Sequence, residues 1–125
     1  MKIEVSVGEI IDKLTILSIK RSFISDPKKL ENIEKEYQYL QKLVLEDLQY
    51  DINDSNYINL FKVNLELWHI EDAIRKKEFN REFDSVFIEL ARSVYITNDK
   101  RATIKKIINF QYNSELTEEK SYAHY

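Results

Sequence analysis

A chain of 125 residues with 43% hydrophobic and 12% aromatic content can bury one sizeable core and sits within the usual size of one domain. A net charge of −3 argues against a dedicated nucleic-acid binder, because neutralised phosphates supply most of that affinity. One glycine and one proline are too few for the turns of a β-rich fold, and the lack of cysteine removes disulfides, thiolate nucleophiles and cysteine-ligated zinc.

The opening Lys2–Val7 alternates, with Ile3, Val5 and Val7 on one side and Lys2, Glu4 and Ser6 on the other. That strand-like period is too short to stand alone, so an extended arm over residues 1–6 is expected, lying on the core or on a partner. Glu4 interrupts any apolar run that a signal peptide would need, and no stretch approaches the length of a membrane span. A soluble, cytoplasmic protein with no membrane partner is the expectation.

Ser6-Val7-Gly8-Glu9 reads as a capping box opening a first helix from about Val7 to Ile24. Its apolar residues, among them Ile10, Ile11, Leu14, Leu17 and Ile19, cover more than one stripe, which predicts a central helix. Asp26-Pro27 supplies an N-cap and a first-position proline for helix 2, which carries Leu30, Ile33, Tyr37, Leu40 and Val44 at seam spacing to about Leu48. Tyr50–Asn56 is polar and reads as a loop. Helix 3 repeats the seam with Leu60, Val63, Leu67, Ile70 and Ile74 and ends near Phe79. Helix 4 takes Phe83, Val86, Phe87, Leu90 and Val94; Ile96-Thr97-Asn98-Asp99 offers cap-type residues for a helix 5 reaching about Tyr112, unless the two form one kinked helix. The expected fold is all-α: one compact bundle of four or five antiparallel amphipathic helices over residues 1–125, with a tail, residues 113–125, packing on the core.

Charge is unevenly spread. Residues 1–74 hold 9 basic and 14 acidic side chains, residues 75–106 hold 9 and 5, and residues 107–125 hold 1 and 3. Within the basic segment Arg92, Tyr95, Asn98, Arg101 and Lys105 form a candidate anion site, since guanidiniums and amides are the groups that grip phosphate and carboxylate. Arg92 and Tyr95 lie one helical turn apart, and Arg101, Lys105 and Asn109 share a face at i+4 steps. Glu66-x-x-His69 has the spacing of half a di-iron site, but His124 is the only other histidine, so no metal and no cofactor are expected.

Gly8-Glu9-Ile10-Ile11-Asp12-Lys13-Leu14, Leu67-Trp68 with Ile70-Glu71-Asp72, Phe87–Tyr95 with Thr97-Asn98-Asp99 and Arg101-Ala102, and Glu118-Glu119-Lys120-Ser121-Tyr122 together resemble an uncharacterised family of small helical proteins from bacteria and phages. Val7 departs from an expected proline, and His69 from an acidic residue. The resemblance implies a context near surface-polysaccharide or sugar-transfer proteins, and it directs attention to Glu9, Asp12, Lys13, Asp99, Glu119, Lys120 and Tyr122 as supporting polar residues. Ile11-Asp12-x-Leu14 through Arg21 is also similar to the first helix of all-helical chorismate mutases, which implies dicarboxylate binding.

Two functions of different class follow. One is an accessory or interaction protein, homodimeric through helices 2 and 3. The other is an enzyme or sensor for an anionic metabolite such as a phosphorylated or nucleotide-linked sugar. There Arg92, Arg101 and Lys105 grip the anion, Tyr95 and Asn98 orient it, and Glu119 or Asp12 moves a proton. Buried arginines converging on a cavity favour the second reading; splayed, solvated ones favour the first.

Overall fold

A computed structural model describes residues 1–125 and is all-helical: α1 Val7–Phe23, α2 Pro27–Lys42, α3 Ser55–Phe79 and α4 Ser85–Gln111, with one π-helical turn at Leu43–Asp47. No strand forms, and no helix is long and apolar enough to cross a membrane. Met1 and Ile3 are exposed and residues 1–6 have no regular structure, so the alternation at the N-terminus builds nothing within this chain.

Each helix begins on a side-chain cap. Ser6 accepts from the Glu9 amide at 3.2 Å, Asp26 from Lys28 and Lys29, Asp54 from Asn56 and Asp84 from Phe87. Such caps satisfy amides that the helix itself leaves free and stabilise by about 1 kcal/mol each. The Ser6 box is only half closed, because the Glu9 carboxylate turns to Lys105 at 2.7 Å instead of back to its own cap.

The order is up-down-up-down. α1 is the central element and packs on α2, α3 and α4 alike. That explains why it buries Ile11, Leu14, Leu17 and Ile19 but also Asp12 and Thr15. The core joins Ile11 and Leu14 to Val44, Tyr50, Leu60 and Ile108, with Tyr112 stacked on Tyr50 at 4.7 Å. Each large apolar side chain so buried contributes about 1.5–3 kcal/mol.

α4 corrects the five-helix alternative. It runs 27 residues without a break, and Ile96–Asp99 lies inside it rather than at a boundary. No proline or glycine interrupts Ser85–Gln111, so nothing forces a stop, and α3 packs along it as an antiparallel partner. Helix 2 reaches Leu48 as expected, but α2 proper stops at Lys42 and its last turn is widened, with Val44 and Tyr50 in the core.

Candidate functional site

An ionised carboxylate in a protein interior is costly unless it is paired and hydrogen-bonded. Asp12, on the central helix, is only 1% exposed. α4 answers with Arg101, whose Nε donates to Oδ1 at 2.8 Å and whose Nη2 donates to Oδ2, a two-pronged grip. α3 adds Asn64, which donates to Asp12 Oδ1 and to Thr15 Oγ1, each at 2.8 Å. Thr15 in turn donates to the Asp12 carbonyl at 2.7 Å. No buried side-chain polar atom in the molecule lacks a partner. The Asp12 hydrogen bonds raise the pKa of Arg101.

One turn further along α4, Lys105 is only 6% exposed and donates to Glu9 at 2.7 Å and to Glu118 of the tail at 2.9 Å. Burial opposes its charge, but the two carboxylates outweigh it and its pKa rises. A further turn on, Asn109 accepts from the Gly8 amide at 2.6 Å, and Ser114 accepts from Val7. Gly8 belongs there because an added Cβ would stand 2.6 Å from the Lys105 carbonyl oxygen. Arg101, Lys105 and Asn109 thus occupy one face of α4, and that face is zipped to α1.

Beside the Asp12 network is an open groove of about 390 Å³. Ile16, Ile19, Leu67 and Trp68 form its apolar side; Asn64, Asn98, Glu71, Arg75 and Arg101 form its polar rim. Arg101 commits Nε and Nη2 to Asp12, which leaves Nη1 uncommitted at the rim. Arg75 is held only by an exposed pair to Glu71 at 3.3 Å.

The predicted anion set does not gather as one. Arg92 and Arg101 are nine residues apart on an unbroken helix, so they sit on opposite faces and about 13 Å apart along the axis. Arg92 is exposed and paired with Glu89 at 3.1 Å, with Tyr95 and Glu89 raising its pKa. Tyr95 meets Tyr125 of the tail at 5.0 Å, and Asp99 beside Tyr125 raises that phenol's pKa. Asn98 and Arg101 share the groove, whereas Lys105 points to Glu9 and Glu118. Lys13 pairs with Glu36 on α2, Glu119 with Lys106, and Lys120 lies 6.0 Å from the Tyr122 ring. Neither Glu119 nor Tyr122 reaches the groove. Arg21 is held by Glu34 and the Tyr37 ring on α2, not by any pocket. Glu66 and His69 are exposed, and no three metal-binding side chains come together.

Asn64 and Thr15 were missed as site residues, whereas Glu118 lies in the tail block to which the resemblance pointed. Asn64 carried a signal: it falls one turn beyond Leu60 on a stripe otherwise apolar, where a polar side chain needs a buried partner.

Together these features define a class: a small four-helix protein with a charged, fully satisfied centre and an open groove at its edge. The chain belongs to a family of unknown function, DUF6165, whose profile it matches over residues 1–125. No curated protein and no solved structure matches the chain.

Proposed function

We propose that this protein is a small accessory protein that senses a ring-bearing anionic metabolite, of the phosphorylated-sugar kind, in the groove beside Asp12 and Arg101. The observation that carries this reading is the pairing of an apolar wall at Trp68 with the uncommitted edge of Arg101. A buried ion pair is weak support for stability, because well-packed apolar residues often serve as well. Its cost is easier to understand when one partner also presents a donor to a ligand. The wall takes a sugar or planar ring, the Asn98 amide and Arg101 take its polar edge, and Arg75 can exchange Glu71 for a ligand anion. The groove offers no serine, histidine or lysine, so binding is favoured over covalent chemistry. Among ring-bearing anions, the sugar-transfer context implied by the family resemblance favours a sugar phosphate.

Trp68 is the only tryptophan in the chain, so its fluorescence reports the groove directly. Glucose 1-phosphate and a uridine diphosphate sugar are expected to give a saturable change in Trp68 emission, with inorganic phosphate alone giving none. A ligand at 100 times its Kd also stabilises the native state by about 2.7 kcal/mol, which raises the melting midpoint. Both effects should be lost in Asn98→Ala and Arg75→Ala, which leave the Asp12 pair intact. Emission and melting that ignore every sugar phosphate and sugar nucleotide would sink this reading.

A further inference from the structure

α1 ends with Phe23 against Trp68, 5.8 Å between rings, and α3 and α4 continue past that point as a helical arm. From Glu71 to Ile96 no residue is buried. Yet this arm exposes Phe79 at 87%, Phe83 at 55%, Val86 at 51% and Ile88 at 56%. Val86, Leu90 and Val94 stand at i+4 steps, so they line up along α4.

The charges of the arm are already spent. It holds six carboxylates and five cations, and all are paired within it: Arg75 with Glu71, Lys76 with Asp72, Lys77 with Glu82 and Asp84, Arg81 with Glu78, and Arg92 with Glu89. A strongly charged partner would find no unpaired counter-charge there. A surface of the same neutral, apolar kind would meet no repulsion.

Surface area points the same way. The chain exposes 9023 Å², whereas a folded monomer of 15.0 kDa exposes about 7,000 Å². Residues 1–5, residues 115–125 and most of the arm are exposed. An interface of standard size takes about 800 Å² from each partner, well within that excess. Of the seams of helices 2 and 3, Ile33, Val44, Leu60 and Ile70 are turned into the chain's own interior, which leaves less apolar surface there than on the arm.

We propose that the arm docks on the arm of a second copy of this chain. Two helical hairpins related by a two-fold axis complete a four-helix bundle, with Phe83 of the α3–α4 turn and Val86 and Leu90 of α4 in the joint. The assembly is independent of any ligand in the groove.

Sedimentation velocity on the full chain over a dilution series tests it. The expected particle has twice the 15.0 kDa chain mass, and Val86→Glu should weaken the association by ~100-fold or more, because it places an unpaired charge in an apolar joint. Val86 is exposed in the single chain, so the helical circular dichroism of the variant should be retained; Phe83→Glu serves if it is not. Tyr39→Glu, exposed on α2, should leave the particle unchanged. A monomer at every concentration overturns the proposal, and so does a dimer that survives both arm substitutions.

Discussion

Asp12 and Arg92 show how differently two charged side chains in one small protein can matter. Removing Asp12 strands the Arg101 guanidinium against the interior, and breaking a buried pair in this way costs about 3–5 kcal/mol. Against a total stability of about 5–15 kcal/mol, Asp12→Ala should lower the urea midpoint severely. Arg92→Ala, at an exposed pair, should leave it almost unmoved. Equal effects of the two substitutions would contradict the burial of Asp12. A second residue-scale consequence concerns acid. Hydrogen bonding and charge from Lys105 hold Glu118 below its ordinary value of 4.5. The folded-state value is depressed, so the contact contributes above about that pH and is lost as the pH falls through the folded value. Backbone 15N order parameters across residues 115–122 should therefore fall in acid before the helices melt, and Lys105→Met should lower them at neutral pH as well. Sequence alone drew attention to Asp12 and Arg101, because guanidiniums and carboxylates are visible as types. It could not say that they bind one another: 89 positions separate them, and only the crossing of α1 and α4 brings them together.

At the scale of elements, caps were legible and interruptions were not. Ser6 and Asp26 follow rules that depend on a few neighbouring residues, and both cap as those rules require. Thr97, Asn98 and Asp99 obey the same local preferences yet lie mid-helix, since packing against α3 and α1 overrides a weak propensity. That one continuity is what divided the predicted anion set between two faces. The π-helical turn after Lys42 had no local signal either, because its cause is the seating of Val44 and Tyr50 in the core. The crossing of α1 over α4 depends on Gly8. In Gly8→Ala the new Cβ meets the Lys105 carbonyl oxygen at 2.6 Å, and that atom is backbone and cannot swing away. The helices must part, with a loss of about 1–3 kcal/mol in denaturant titration, even though alanine is the better helix former. An unchanged or higher stability would show that the helices are not held so close.

For the whole molecule, the all-α architecture was readable from composition and period, while the groove was not. Its wall and rim come from α1, α3 and α4 together, and nothing in Ile16, Leu67 or Asn98 taken singly marks a binding surface. The arm was equally hidden, because Phe83, Val86 and Leu90 have the spacing of ordinary core residues; only the shorter reach of α1 leaves Phe83 and Val86 bare and Leu90 half-covered. The Asp12–Arg101 pair also bears on how the protein is made. A ribosome adds ~5–20 residues each second, so the carboxylate emerges roughly 5–20 s before its guanidinium exists. Until then the nascent α1–α2 hairpin carries a charge that its own apolar neighbours disfavour, and it has no stable place to put α1. On this timing the central helix can settle on its charged partner only once the last helix has been made.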